Sequence, residues 1–127
     1  MNLLLDTHAL LWWDEEPTLL GETARAAIRD QNNAVFVSAV SVWEIAIKQK
    51  QGRWHFSGSP ATMIAKNGFS PLSITPQHAE RAGGLPLLHG DPFDRMLIAQ
   101  AQIEGLTLVT VDQKIRLYPV AQLWARA

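Results

Sequence analysis

The sequence carries acidic side chains at the points where predicted strands end or predicted helices begin. The four that matter most are Asp6, Glu44, Asp94 and Asp112. Asp6 ends the apolar run Leu3–Leu5, and Asp112 ends the apolar segment Leu106–Val111. The carboxyl ends of parallel strands share one edge of a sheet, and open α/β sheets collect ligands there. We therefore expect a chemical site at this edge.

Carboxylates within a few ångströms of one another repel and raise one another's pKa unless a cation neutralises them. All-oxygen ligands suit Mg²⁺ or Mn²⁺, and the sequence has no cysteine for a thiolate metal site. Such an ion activates water and stabilises charge on a phosphate, so the pattern indicates metal-dependent phosphodiester hydrolysis. Phosphatases and phospho-acceptor domains also gather acids at strand ends, so the pattern alone leaves these classes open.

Each acid also has an ordinary structural explanation. Asp6 suits a helix N-cap, and Asp112 could cap a final turn. Glu44 forms an i,i+4 pair with Lys48, which is typical of a solvated helix face. Asp94 could simply interact favourably with the dipole of its helix, and the neighbouring Asp91 is itself a good cap.

The order of apolar segments and helix signals predicts a mainly parallel sheet with helices on both faces, within one domain spanning residues 1–127. The predicted strands are Leu3–Leu5, Ala34–Val37, Pro71–Ile74, Leu106–Val111 and Val120–Leu123. The predicted helices are His8–Trp13, Glu22–Asp30, Ala39–Lys50, Ala61–Lys66, Pro76–Ala82, Pro92–Glu104 and a short helix or turn at Asp112–Leu117. Leu3–Leu5 is apolar on both faces and suits the centre of the sheet. Arg53–Pro60 is predicted to be irregular, and the strand order stays open.

This topology brings only three of the four acids together without further assumption. Asp6, Glu44 and Asp112 follow strands or begin the helices after them. Asp94 begins a helix that leads into a strand, so it joins the others only if the loop Gly83–Gly90 carries the chain to the same edge. Periodicity does not decide that point.

The composition favours a packed globular protein over a disordered or membrane protein. Hydrophobic residues make up 47% of the chain and charged residues 18%. The net charge is −1, so a nucleic-acid partner would need a local basic patch. The start of the chain lacks a basic leader, and no apolar run is long enough to cross a bilayer. We expect a soluble protein, and the absence of cysteine is compatible with the cytoplasm.

Several segments together resemble a known family, the PIN-domain ribonucleases, and specifically the VapC-like toxins of bacterial type II toxin–antitoxin pairs. The similarity runs nearly from end to end. Its most specific parts are LLLDTHALLWW at Leu3–Trp13 and DPFDRMLIAQA at Asp91–Ala101, with SVWEIAIK at Ser41–Lys48 and LTLVTVD at Leu106–Asp112 in support.

The resemblance implies a three-layer α/β/α sandwich and cleavage of RNA that depends on Mg²⁺ or Mn²⁺. By motif, Asp6, Glu44 and Asp94 match the family's acidic triad and metal ligands, and Asp112 matches its fourth acid. The position of Asp94 within DPFDR favours it over Asp91, which is left as a cap or an outer support. The resemblance also implies a homodimer and a cognate antitoxin whose tail covers the active-site groove.

Other residues receive weaker assignments. Basic side chains that could contact phosphates are Lys48, Lys50, Arg53 and Arg95, although a solvated basic surface is the ordinary alternative for each. Trp12 and Trp13 could form an apolar docking surface or pack in the core. His8 and His89 flank the predicted site, and with only oxygen ligands proposed we interpret both as structural.

Two other functions remain as alternatives. A phospho-acceptor signalling module would use Asp6 near Mg²⁺ and Lys114 beside the phosphate, but it lacks an acceptor Asp after the second strand, where Val37 is followed by Ser38. An inactive binding scaffold would bind no divalent ion.

Overall fold

The computed structural model describes residues 1–55 and 58–127, and in them a five-stranded parallel sheet forms the centre of the fold. The strands are β1 (Asn2–Leu5), β2 (Ala34–Ser38), β3 (Ser70–Leu72), β4 (Thr107–Thr110) and β5 (Gln122–Trp124). Their spatial order is β3-β2-β1-β4-β5, which places β1 at the centre. Leu4 accordingly lies opposite Phe36 on one side and Leu108 on the other.

Helices cover both faces of this sheet, as the sequence predicted. They are α1 (Thr7–Glu15), α2 (Glu22–Arg29), α3 (Ala39–Lys50), α4 (Pro60–Lys66), α5 (Pro76–Gly84) and α6 (Pro92–Glu104). Single turns of 3₁₀ helix occupy Pro17–Leu19 and Ile115–Leu117. The fold class is confirmed, and the sheet is entirely parallel among the strands described.

The side chains of β1 show why its sequence is continuously apolar. Leu3 and Leu5 pack into one buried cluster with Leu10 of α1, whereas Leu4 packs into a second cluster with Leu97 of α6. All three β1 leucines are completely buried. A strand covered on both faces has no polar face, so it cannot show the alternation of a half-exposed strand.

The predicted helix ends agree with the structure where a capping group is present. Ser38 accepts a hydrogen bond from the N–H of Val40 at the start of α3, and Asp91 accepts bonds from the first turn of α6. Gly105 ends α6 with a φ of 67°, a left-handed conformation that glycine adopts without strain.

Some boundaries differ from the prediction. Gly83 and Gly84 belong to α5 rather than to a loop, because neither adopts the positive φ that would end the helix. The third strand is Ser70–Leu72 and not Pro71–Ile74, although it is an edge strand as expected. The predicted irregular segment Arg53–Pro60 includes two residues, 56 and 57, that lie outside the described residues. Within residues 1–55 and 58–127, no helix is long and apolar enough to span a membrane.

Candidate active site at the carboxyl edge of the sheet

Asp6 is fixed at the end of the central strand by two backbone donors. Its Oδ1 accepts from the N–H of Ala9 at 2.7 Å, and its Oδ2 accepts from the N–H of Val111 at 3.0 Å. Burial raises the pKa of this carboxyl, and the two backbone hydrogen bonds oppose that rise. Asp6 is therefore the N-cap of α1, as its structural explanation required, and it also joins β1 to the segment that follows β4.

Glu44 is buried, so the solvated-face interpretation of this residue is wrong. Its side chain is only 4% exposed, and its Oε2 lies 2.6 Å from Nζ of Lys48. The polar stripe of α3 faces α1 instead of solvent, because Ser41 on the same stripe is completely buried and accepts a hydrogen bond from Thr7 of α1. The other oxygen of Glu44, Oε1, is buried without a hydrogen-bond partner among the described residues.

Asp94 lies in the first turn of α6, and its Oδ2 is 2.8 Å from Nε2 of His89. Its pKa is raised from 3.8 to about 8, mainly by burial and then by the negative charges of nearby carboxylates. Those carboxylates are Asp91, Asp6, Asp112 and Glu44. The geometric link to the other acids is His89, which also contacts Asp112, and Asp112 follows Val111, whose N–H donates to Asp6 at the end of β1. The loop before α6 therefore brings the start of α6 beside the segment that follows β4.

Asp112 is the most exposed of the four acids. Its Oδ1 accepts from the N–H of Lys114 at 2.8 Å, so it caps the turn that follows β4. Its Oδ2 lies 3.3 Å from Nε2 of His89. In the part of the chain that the structure describes, one ligand atom each from His89, Asp94 and Asp112 lie within 4.8 Å of one another.

His89 is the residue of this cluster that sequence reasoning placed outside the chemistry. We interpreted it as structural because only oxygen ligands were considered. The available signal was its place in the loop Gly83–Gly90, which had to bring Asp94 to the site and so had to pass beside it. His8, by contrast, is exposed and packs edge-on against the rings of Trp12 and Trp54.

Arg95 holds this loop in place, and its interpretation as a phosphate contact is wrong. The side chain is buried, and its guanidinium donates to backbone carbonyls at the end of α5 and in the loop that follows it. The accepting oxygens are those of Ala82, Gly83, Leu85, Pro86 and His89. Tyr118 adds a second anchor, since its hydroxyl accepts from the N–H of His89 at 2.8 Å and donates to the carbonyl of Pro86 at 2.6 Å.

Comparison with known proteins assigns the fold to a family. Residues 3–120 match the PIN domain family. The chain belongs to that family. Over 118 residues this PIN domain is 33% identical to Ribonuclease VapC22 of Mycobacterium tuberculosis, covering 91% of this chain and 90% of the relative.

Solved structures share the PIN fold of this chain. One is VapBC2 from Rickettsia felis bound to a DNA fragment from their promoter, with a TM-score of 0.70, 15% identity and coverage of 98% of this chain and 99% of that chain. Another is a toxin–antitoxin complex from Klebsiella pneumoniae, with a TM-score of 0.66, 21% identity and 96% coverage of each chain. The three-layer architecture expected from the sequence is confirmed.

The acid cluster of this PIN domain fits a hard divalent cation. Burial first, and then the negative charges of the neighbouring carboxylates, raise the pKa of Asp94, which indicates that these carboxylates repel one another. Glu44 also presents a buried oxygen, Oε1, that has no partner among the described residues. A divalent cation bound by these carboxylates would offset their negative charge and could also bind Oε1 of Glu44.

Some of the remaining basic and aromatic candidates pack against other side chains, and the others are exposed. Lys48 pairs with Glu44 and lies 4.3 Å from the centre of the Trp54 ring, whereas Lys50 and Arg53 are exposed. Trp13 packs against Phe69 and donates to Asn67, so it belongs to the core periphery. Trp12 lines a cavity of about 350 Å³ with Arg53 and Trp54.

Proposed function

We propose that this PIN domain is a metal-dependent endoribonuclease that acts as the toxin of a toxin–antitoxin pair. The observation that carries the proposal is that His89 lies within 3.3 Å of both Asp94 and Asp112. Asp112 follows Val111, whose N–H donates to Asp6. Burial raises the pKa of Asp94, and the charges of Asp91, Asp6, Asp112 and Glu44 add to that rise. The 33% identity to a VapC ribonuclease over nearly the whole chain supports RNA as the substrate.

In this proposal Asp6, Glu44 and Asp94 hold Mg²⁺ or Mn²⁺, and Asp112 assists the metal or the attacking water. Bound there, the ion would supply an activated water and stabilise charge on the phosphate. The chain contributes rigid ligands, because Asp6 is held by two backbone donors and Glu44 by Lys48. Asp112 is the acid that reaches solvent, with a side chain 35% exposed, so it is the one placed to orient a water molecule.

Exposed basic and apolar side chains support the RNA substrate and the protein partners of this proposal. Lys50 and Arg53 are exposed basic side chains that can contact RNA phosphates, and neither is committed to the core. We also propose a cognate antitoxin, a homodimer and action on cytoplasmic RNA. Trp43 is 59% exposed and its ring centre lies 5.3 Å from that of Phe93, and these adjoining aromatic side chains support a protein-binding surface.

The phospho-acceptor alternative is not supported by the geometry of β2. The strand ends in Ser38, and that side chain is used to cap α3. Lys114, the lysine assigned to the phosphate, is exposed on the turn that Asp112 caps.

The test is RNA cleavage by the native chain with and without EDTA, compared with Asp6→Ala. Removing the metal or the Asp6 carboxylate is expected to lower the cleavage rate at least about 100-fold, because either change dismantles the metal site. Asp6 also caps α1, so Asp6→Ala should lose roughly 1 kcal/mol or more of stability, and unfolding must be measured alongside. Asp30→Ala is the matched control, since Asp30 caps an exposed turn by accepting from the N–H of Asn32.

Full activity in EDTA or in a folded Asp6→Ala protein would contradict the proposed function. The Asp30→Ala variant should cleave RNA at the native rate, which separates the loss of a capping acid from the loss of the site.

A further inference from the structure

His89 directs one ring nitrogen between two of the acids. Nε2 lies 2.8 Å from Oδ2 of Asp94 and 3.3 Å from Oδ2 of Asp112, and the side chain is only 9% exposed. In an octahedral site with bonds of about 2.1 Å, ligand atoms at neighbouring corners are about 3 Å apart. The spacing of the nitrogen from the two oxygens is therefore compatible with a shared cation, as it is with a hydrogen bond, and the three ligand atoms lie within 4.8 Å of one another.

The second buried histidine of the chain shows what a purely structural role looks like here. Nδ1 of His78 accepts from the N–H of Thr75 at 3.0 Å, and Nε2 lies 3.1 Å from Oε2 of Glu104. Both ring nitrogens of His78 are therefore used. In His89 both polar contacts of the ring that the described residues show are made by Nε2 toward the acids, and Nδ1 is buried without a partner among those residues.

The backbone of His89 is also held in place by two hydrogen bonds. The N–H of His89 donates to Tyr118, and the carbonyl of His89 accepts from Arg95. A further buried group without a partner, Oε1 of Glu44, belongs to the carboxylates whose charge acts on Asp94. Glu44 therefore keeps one oxygen available as a further metal ligand, and hydrogen bonds to Tyr118 and Arg95 hold the loop that carries His89.

We propose that Nε2 of His89 is a ligand of the divalent metal that binds Asp94 and Asp112, and that it shifts the site's preference from Mg²⁺ toward Mn²⁺ and other first-row transition ions. The inference rests on the proposed function, because the same acid cluster binds the metal. Imidazole nitrogen binds transition ions well, whereas Mg²⁺ prefers oxygen ligands and retained water. Ligation would require the ring proton on Nδ1, which is buried without an acceptor among the described residues, and would leave the lone pair of Nε2 for the metal.

The direct test is pulsed electron paramagnetic resonance of Mn²⁺ added to the metal-free protein. A nitrogen coordinated to Mn²⁺ modulates the electron spin echo, and incorporation of ¹⁵N-labelled histidine changes that modulation. The native protein is expected to show the nitrogen modulation and its isotope shift. This measurement needs no variant, so it does not depend on whether a substituted protein folds.

Two variants measure the effect on metal preference. His89→Gln should remove the nitrogen modulation, weaken Mn²⁺ binding in calorimetry by about tenfold or more, and change Mg²⁺ binding by less than about threefold. His55→Gln is the matched control, because His55 is exposed, and it should keep the native spectrum and affinities. Thermal unfolding in EDTA establishes that both variants are folded.

A native protein that binds Mn²⁺ without a coordinated nitrogen would overturn the inference, since His89 would then only hydrogen-bond to the acids. An unchanged ratio of Mn²⁺ to Mg²⁺ affinity in His89→Gln would overturn it as well, and so would a native protein that binds no Mn²⁺. Failure of the proposed function has a different result, in which the nitrogen modulation is present but the Mn²⁺-loaded native protein does not cleave RNA.

Discussion

Replacing Asp94 with asparagine is expected to abolish RNA cleavage and, in the absence of metal, to stabilise the protein at alkaline pH. The cleavage rate should fall at least about 100-fold, because a proposed metal ligand loses its charge. The gain in stability follows from the electrostatics of the metal-free site. Burial and the neighbouring acids raise the pKa of Asp94 from 3.8 to about 8, so the folded protein resists ionisation of this carboxyl.

The pH dependence of the stability has a definite sign. Below the ordinary pKa of 3.8, Asp94 is protonated in both the folded and the unfolded protein, and it imposes no ionisation penalty. As pH rises toward about 8, the unfolded chain ionises but the folded one does not, so the free energy of unfolding falls. Asparagine never ionises, and the stability advantage of Asp94→Asn should therefore grow across this range.

Thermal unfolding in EDTA, from about pH 6 to about pH 9, measures the difference between native and variant proteins. Glu80→Gln is the control, because Glu80 is an exposed acid on α5 and is not among the charges that raise the pKa of Asp94. Addition of Mg²⁺ should stabilise the native protein more than Asp94→Asn. An Asp94→Asn variant that melts at a lower temperature than the native protein at about pH 9 would contradict the raised pKa of Asp94 in the folded protein.

The parts of the fold that were predictable from the sequence are those whose signals are local. The central position of β1 follows from Leu3–Leu5, because only a strand buried on both faces is continuously apolar. The bounds of α3 and α6 follow from the capping residues Ser38 and Asp91 and from the left-handed Gly105. For both helices, the hydrogen bond or backbone conformation that sets the boundary lies within a few residues of it.

The errors concern polar residues whose surroundings come from distant parts of the chain. The pairing of Glu44 with Lys48 has the same spacing on an exposed face as on a buried one, and only the packing of α3 against α1 distinguishes them. Arg95 looks like a surface cation in a helix, yet the end of α5 and the loop after it supply acceptors that bury it. His89 enters the cluster for the same tertiary reason.

The roles of the acids could be predicted only as alternatives, and the structure shows why the alternatives do not exclude each other. Asp6 caps α1 with Oδ1 and joins the segment after β4 with Oδ2, so a capping residue can also stand in the site. Asp91 is the cap of α6, which agrees with the preference for Asp94 as the acid in the cluster. Assignment of Asp6, Glu44, Asp94 and Asp112 to metal binding and catalysis stays a prediction.

Replacing Arg95 with methionine is expected to cause a large loss of stability and, with it, loss of the site. Methionine can fill the apolar part of the space, but it leaves the carbonyls of Ala82 and Leu85 without the donors that lie 2.9 Å and 2.8 Å away. Unsatisfied buried polar groups cost roughly 1–3 kcal/mol each, and part of the loop can recover hydrogen bonds to water. We expect the free energy of unfolding to fall by about 3 kcal/mol, as measured by urea denaturation in EDTA.

The effect should depend on the shape of the guanidinium as well as on its charge. Arg95→Lys keeps a positive charge, but one ammonium cannot reach carbonyls spread along the loop, so this variant should recover only part of the lost stability. Arg53→Met is the control for removing an exposed arginine and should change the free energy of unfolding by less than about 0.5 kcal/mol. Because Arg95 also holds the carbonyl of His89, Mn²⁺ affinity should fall in Arg95→Met even where the protein remains folded. A folded Arg95→Met protein with native stability and native metal affinity would show that the loop reaches the site without this anchor.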